Sequence, residues 1–277
     1  MFVSPMLLHK SKRPFEDSKY ITELKLDGIR LILSKFNGQT KLYTRHHNEV
    51  TTKFPELQRL KLPDGIVLDG EIVVTDPNGK PDFEAMMERF QSKRSEYDIQ
   101  YCVFDILYYK DQEVTHLPLL KRKEILDDLI ENDKHIAKVQ WIEGSAPAYF
   151  ELTKQHGLEG IVQKRINSDY QISKRSKDWL KVINYQYTNA FITGLRKGEF
   201  GMLLGIEDKG IIKPAGVMEF VPPKARKDFF AQYRELIIGE DQKFIHLEPK
   251  IKCQVKYRNY TKKGFLRIPS FVDYVSF

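Results

Sequence analysis

The chain has 277 residues, 41% of them hydrophobic and 30% charged, with a formal net charge of +7. That length can bury one large core or two modest ones, and the composition excludes a disordered or fibrous class. No stretch approaches the roughly 18 apolar residues of a membrane span, the start MFVSPMLLHKSKRPF lacks a small-residue cleavage signal, and two cysteines, Cys102 and Cys253, are too few for a four-ligand zinc site.

In chain order, residues 20–26, 29–35 and 41–43 read as strands, with Asn37-Gly38 turning between the last two. Residues 65–74 and 99–108 follow as strands. A helix is predicted over 120–131, where Ile125, Leu126, Leu129 and Ile130 share a face. A second runs about 147–155 and stops at Gly157. Residues 160–165 and 179–183 return to strand character. After Tyr187 the texture changes to short strands over 191–195, 201–206, 210–215, 251–257 and near Phe271, with a helix near 224–238. Five strands with a helix between the third and fourth suggest a small closed barrel of the oligonucleotide-binding type. The boundary falls near residue 188.

Charge follows the same division. Residues 1–189 carry 29 Lys/Arg against 28 Asp/Glu, and residues 190–277 carry 16 against 10. Between Lys250 and Arg267 there are seven basic residues and no acid, including Lys252, Lys256, Arg258, Lys262, Lys263 and Arg267, with Tyr257, Tyr260 and Phe265 interleaved. Cations that bind phosphate and rings that stack on bases suit a polynucleotide surface. A solvated basic strand pair is the alternative, and the acid-free run favours nucleic acid.

Lys25 lies in the segment ELKLDGIR, residues 23–30. In strand alternation Glu23, Lys25 and Asp27 share one face, and Leu24 and Leu26 the other. A lysine attacks only when desolvation or nearby cations favour its neutral form. Gly28 permits close approach of backbone or ligand, and Arg30 offers a planar fork for phosphate or ribose. From this segment alone, a hairpin with a surface ion-pair row stays open as the alternative.

ELKLDGIR resembles motif I, K-x-D-G-x-R, of the covalent nucleotidyltransferases, the family of DNA ligases, RNA ligases and capping enzymes. Five further elements resemble that family's motifs in order: YTRHHN at 43–48, LDGEIV at 68–73, YCVFDILYY at 101–109, EGIVQK at 159–164 and DWLKV at 178–182. Taken alone, several have plainer readings: YCVFDILYY as a buried core strand, and His46 and His47 as exposed loop residues. The resemblance implies that Lys25 attacks the α-phosphate of ATP and carries AMP. It implies nucleotide contacts for Glu23, Arg30, Arg45, Glu71, Phe104, Lys164 and Lys181, with Glu23 helping to recognise the base and Phe104 stacking on it. Asp27, Glu71 and Glu159 are the implied ligands of Mg2+ (or Mn2+). The implied fold is α+β: an adenylyltransferase domain of ATP-grasp-like antiparallel sheets with helices over 1–187, then an OB-fold barrel over 188–277.

DGIR with LDGEIV and EGIVQK looks most like the ATP-dependent DNA ligases of bacterial repair or bacteriophage replication. The resemblance thus implies a minimal, monomeric, cytoplasmic and nucleoid-associated enzyme that seals nicks in double-stranded DNA, with a Ku-type end-binding protein as a candidate partner. An RNA ligase or capping-type enzyme, and a nucleic-acid-binding protein with a degenerate catalytic site, are the alternatives. Two departures stand out. Motif V commonly reads K-x-K, whereas here Lys181 is followed by Val182 and Ile183; and GFLRIPSF at 264–271 is not followed by the R-x-D-K-like tetrad that orients pyrophosphate. ATP charging is therefore expected to be weak or to rely on other cations.

Overall fold

In residues 66–73, IVLDGEIV, one alternating face (Ile66, Leu68, Gly70, Ile72) is free of charge and the other sets Asp69 and Glu71 between Val67 and Val73; the strand Ile66–Val73 lies in the middle of a sheet, buried along almost its whole length. In this computed structural model, which describes residues 1–92 and 94–275, that strand pairs antiparallel with Ile29–Phe36 and Gln100–Tyr109. Gln39–Thr44 and Gln112–Glu113 extend the sheet at its two ends, and Ile136–Lys138 adds in parallel to Gln100–Tyr109. A second sheet has the order Leu7–Lys10, Arg175–Ile183, Gly160–Arg165, Tyr20–Leu24, Trp141–Glu143. Ile21 and Trp179 of this sheet pack with Ile32, Val67 and Leu107 of the first in one apolar cluster, so the two sheets face each other across it. The outer side of the second sheet is covered by helix Ala146–Gln155, whose Ala146 and Phe150 pack on Ile161 and Val182.

The chain divides into two compact units, Met1–Asn184 and Tyr185–Phe277. In the second, the long strand Gln186–Arg196 pairs with Met202–Asp208 on one side and with Lys252–Tyr257 and Phe244–Leu247 on the other. Ile211–Met218, Ile237–Glu240 and Ser270–Tyr274 complete seven strands among the described residues, and a bridge from Phe220 to Ser270 ties the third strand's exit to the last strand. The expected five strands are present, with the hairpin 237–247 added. The helix expected over 224–238 is shorter: it spans Pro223–Phe230, gives way to a 3-10 turn at Tyr233–Leu236, and the chain then extends. Ile237 and Ile238, both β-branched, favour that extended state.

Two further differences bear on the site. Strand Tyr20–Leu24 ends one residue before Lys25, so the expected strand over 20–26 is cut short. Helix Phe83–Gln91 was not anticipated; Asp82 caps it by accepting from the Ala85 N–H at 2.9 Å. Cys102 and Cys253 are free and buried. Among the described residues no helix is long and apolar enough to cross a membrane. Ser276 and Phe277, in the stretch where the C-terminal tetrad was looked for, lie outside the described residues.

Helix Leu119–Leu129 buries Arg122 completely. Its Nε and Nη2 donate to the two oxygens of Asp105 at 2.7 and 2.9 Å, and Nη1 donates to the carbonyls of Leu117 and Ser168. Removing one member of such a pair strands a buried charge, which costs about 3–5 kcal/mol. Arg122→Met should therefore lower unfolding stability by about that amount in urea titration, and adding Asp105→Leu should recover a large part of the loss.

Candidate active site

The position of Lys25 is set by strand register. Leu24 pairs with Ile161, and one step further the Lys25 N–H donates to the Gly160 carbonyl at 2.9 Å. Gly160 has φ +139°, and a Cβ there would lie 2.1 Å from the Val182 carbonyl oxygen, so this crossing requires glycine. Glu159, the residue before it, thereby comes beside Lys25, and Nζ donates to Glu159 Oε2 at 2.8 Å across 134 residues of sequence. Gly28 plays a similar part on the other sheet. Its Cβ would lie 2.2 Å from the Ile72 carbonyl oxygen, and its N–H donates to Glu71 Oε1 at 3.2 Å. Lys25, Glu71 and Glu159 are thus gathered from three distant segments by two glycine crossings.

Their electrostatics follow from burial. The Glu71 carboxyl is pushed up to about 7 by desolvation, against the pull of Lys25 and Arg30 and with the charge of Glu159 adding to the rise. Glu23 is buried, with a lysine at each oxygen: Lys164 Nζ is 2.6 Å from Oε2, and Lys123 donates to Oε1. Lys164 also lies 4.4 Å from the Phe104 ring centre and 4.2 Å from that of Trp179. Arg30 is held by Asp69 through a two-point fork, Nε to Oδ1 at 2.9 Å and Nη2 to Oδ2 at 2.5 Å, and its guanidinium sits 5.3 Å from the Phe104 ring centre. Tyr170 closes this group, donating to Asp69 Oδ2 at 2.6 Å while accepting from the Met6 N–H at 2.9 Å.

The structure therefore brings Glu23, Lys25, Arg30, Glu71, Phe104, Glu159 and Lys164 into one connected set. Lys181 lies on strand Arg175–Ile183, paired with Val162, the register partner of Glu23. Asp27 is half-buried in the turn between Leu24 and Ile29. The displayed acid–lysine–acid row expected from alternation is corrected: the strand stops at Leu24, Asp27 belongs to the turn, and Glu23 is enclosed rather than displayed. Arg45 stands apart, exposed in the turn after Gln39–Thr44, with its Nε donating to His46 at 2.9 Å. Sequence reasoning did not single out Lys123, Asp69 and Tyr170. Lys123 sits in the run Lys121-Arg122-Lys123, which reads as a solvated helix face, although the helix buries both Arg122 and Lys123.

In the second unit, Cys253, Val255 and Tyr257 point into the core, and Lys252, Lys256 and Arg258 alternate outward. Lys252 lies over the Phe191 ring, and Lys256 and Arg258 over that of Tyr185, at 5.1–5.5 Å. Lys262 and Lys263 are exposed in the following turn, and the Arg267 carbonyl accepts from the Arg258 N–H at 3.0 Å. The six cations expected at a nucleic acid surface thus fall on one strand and the turn that returns beside it.

Two facing sheets thus gather a lysine, two carboxylates and further buried cations, and the fold that holds them is the nucleotidyltransferase domain of DNA ligases. Residues 5–182 match the family model described as ATP dependent DNA ligase domain. The SPbeta prophage-derived DNA ligase-like protein LigB of Bacillus subtilis strain 168 is 52% identical over 98% of each chain. The multifunctional non-homologous end joining DNA repair protein LigD of Mycobacterium tuberculosis is 28% identical over 97% of this chain, which spans 38% of that longer protein. A solved structure of mycobacterial DNA ligase D complexed with ATP and MES superposes with a TM-score of 0.63 at 25% identity, covering 99% of this chain and 95% of that one. The chain belongs to the ATP-dependent DNA ligase family.

Burial pulls the Lys164 ammonium down to about 8 from 10.5, although Glu23 acts in the opposite direction. Below pH 8 this lysine is protonated in both states and the fold carries the full cost of its burial. Between 8 and 10.5 the unfolded chain holds more protons, so this residue's contribution makes stability rise with pH. Lys164→Met should remove that rise, read as a flatter pH dependence of the denaturant midpoint between pH 8 and 10.

Proposed function

We propose that Lys25 is the residue that takes AMP from ATP, and that the chain then seals a nick between a 3′-hydroxyl and a 5′-phosphate in duplex DNA. The observation that carries this reading is the convergence of Lys25, Glu159 and Glu71 through the two glycine crossings. In the first step Lys25 gives up one ammonium proton to Glu159 or solvent, the freed Nζ lone pair forms a bond to the α-phosphorus as the bond to pyrophosphate breaks, and a second proton leaves the nitrogen as the phosphoramide forms. AMP passes next to the 5′-phosphate, giving a 5′–5′ pyrophosphate and freeing Lys25. The 3′-hydroxyl then attacks the activated phosphate, and AMP leaves.

The chain's own groups have assignable tasks. Glu159 holds Lys25 in place in the resting state. Arg30, pre-aligned by Asp69, offers its remaining donors to ribose or phosphate, and Phe104 supplies the ring against which the purine stacks. Glu23 lies at the base end. Arg45 reaches phosphate from its exposed turn. Lys164 and Lys181 add positive charge where phosphate charge develops.

Among the described residues no three acids, histidines or cysteines converge as a metal cage. The donor set still fits Mg2+ (or Mn2+), which commonly rests on one or two carboxylates with waters and phosphate oxygens completing the shell. Glu71 and Glu159, with Asp27 nearby, would hold it, and it would supply charge neutralisation at the phosphates.

We read the second unit, residues 185–277, as an OB-type barrel that grips DNA through Lys252, Lys256, Arg258, Lys262, Lys263 and Arg267, and the first, residues 1–184, as the adenylyltransferase domain; the boundary expected near residue 188 falls inside the strand Gln186–Arg196. Double-stranded nicked DNA is the substrate partner, and the enzyme acts as a cytoplasmic monomer at the nucleoid. The likeness to LigD, whose name places it in end joining, favours a repair role with a Ku-type protein as recruiter.

Incubation with labelled ATP and Mg2+ should give an acid-labile lysyl–AMP adduct, absent in Lys25→Ala and reduced by roughly 10²–10³-fold in Glu159→Gln. An adduct that persists in Lys25→Ala would sink the assignment, and preference for GTP or for RNA nicks would select the capping or RNA-ligase reading. Lys256→Ala should weaken nicked-DNA binding equally across sequences and lower the salt slope by about 1.

A further inference from the structure

Strand Arg175–Ile183 presents three successive positions to the face that looks onto the other sheet: Trp179, Lys181 and Ile183. Trp179 packs edge-on to Phe104 with ring centres 6.3 Å apart and lies 4.2 Å from Lys164 Nζ, so its side chain is on that face. Val182 packs on the opposite side, against the helix Ala146–Gln155. Alternation then places Lys181 and Ile183 with Trp179. Ile183, register partner of Gly160, is buried and apolar. The strand on its own therefore offers only one cation beyond Trp179.

A second cation reaches the same place from the start of the chain. Leu7–Lys10 runs parallel to Arg175–Ile183, but its register jumps: Leu8 pairs with Ser176, and His9 already pairs with Leu180. The jump sets Lys10 directly beside Lys181, and the Ser11 N–H donates to the Lys181 carbonyl at 2.9 Å, which fixes the alignment. Two independent observations put the Lys10 side chain on the inner face. It is the register partner of Lys181, and register partners share a face; and it lies two residues after Leu8, which packs into the apolar cluster between the sheets. In plain register Lys10 would have stood opposite Asp178, an acid.

We propose that Lys10 is a phosphate-contacting residue that acts with Lys181 on the bound nucleotide, in place of the cation that Ile183 does not provide. Two ammonium groups on neighbouring strands of one face repel each other, and an anion between them turns that repulsion into a binding site. Lys10, Lys181, Gly160 and Lys25 lie at the same end of their strands, and that end of the sheet is where the nucleotide's phosphates must lie if Lys25 is the nucleophile, so this inference rests on the ligase reading above. The N-terminal strand would then be part of the catalytic apparatus, although it carries none of the quoted motifs.

The test uses the full chain and two arms. In one, the single-turnover rate of lysyl–AMP formation is measured from ATP. In the other, AMP-free enzyme seals a nick that already carries a 5′-adenylate. Lys10→Ala should slow the first arm by roughly 10–100-fold, somewhat less than the loss of a fully buried donor. Lys10→Arg should keep most of the rate, and Ile183→Lys in the Lys10→Ala background should restore most of what was lost. A fall confined to the first arm assigns the contact to the phosphates of ATP; a fall in both extends it to the phosphate of the nick. An unchanged rate in both arms, or a loss that Ile183→Lys leaves uncorrected while the melting temperature of Lys10→Ala drops, overturns the proposal. Wild-type chain that forms no lysyl–AMP would instead take down the ligase reading itself.

Discussion

The site depends on one antiparallel pairing, that of Tyr20–Leu24 with Gly160–Arg165. It brings the nucleophile candidate and its carboxylate together from opposite ends of the first unit, and the closing bond from the Lys25 N–H to the Gly160 carbonyl fixes the step at which they meet. A slip of one residue would turn Glu23 and Lys164 to the helix-covered side of the sheet, where Thr22 and Gln163 now point. Register is protected by what it buries. Ile21 and Trp179 fill the core between the sheets, and Ile161 and Val182 fill the opposite side beneath a helix. Neither set can be exchanged for the other without burying charge in an apolar layer.

Three buried ion groups lie within the first unit: Glu23 between Lys123 and Lys164, Asp69 with Arg30, and Asp105 with Arg122. As stabilising elements such groups are poor value, because desolvation offsets most of their attraction. Their use lies in orientation. Arg30 reaches the site with its fork already committed to Asp69, and the Tyr170 hydroxyl, held by the Met6 N–H, fixes Asp69 in turn. Asp105–Arg122 anchors the helix that carries Lys123, so the helix position and the setting of Glu23 are coupled through neighbouring residues.

Much of this was readable from sequence, and the reasons differ residue by residue. Lys25, Glu71 and Glu159 stand in short segments whose glycines mark crossings of the backbone, so LDGE and EGIVQK announce both the acid and the close approach that positions it. The strands around them were legible because short β-branched and apolar stretches, such as Ile66-Val67-Leu68 and Ile161-Val162, are bounded by turn residues. What escaped is what local periodicity does not encode. Lys123 looks like part of a solvated run because its partner lies 100 residues away. The helix Pro223–Phe230 stops early because Ile237 and Ile238 are drawn into a hairpin that helical periodicity alone would not forbid. Leu7–Lys10 gave no strand signal, since four residues with a register jump make no alternating pattern to read.

The distribution of cations also bears on how the reaction is divided between chain segments. On the proposed reading, the lysine that attacks must first be released by Glu159, and a carboxylate surrenders a cation most readily when other positive charge takes its place. Glu71, pushed up to about 7 by burial, already shows how little additional negative charge this end of the cleft tolerates. A divalent cation arriving with the nucleotide would favour the ionised form of Glu71 and take the place of the Lys25 ammonium beside Glu159. The binding of ATP and the freeing of Lys25 are then one electrostatic event rather than two, and the cations along strands Leu7–Lys10 and Arg175–Ile183 act at its phosphate end while Glu71 and Glu159 act at the lysine.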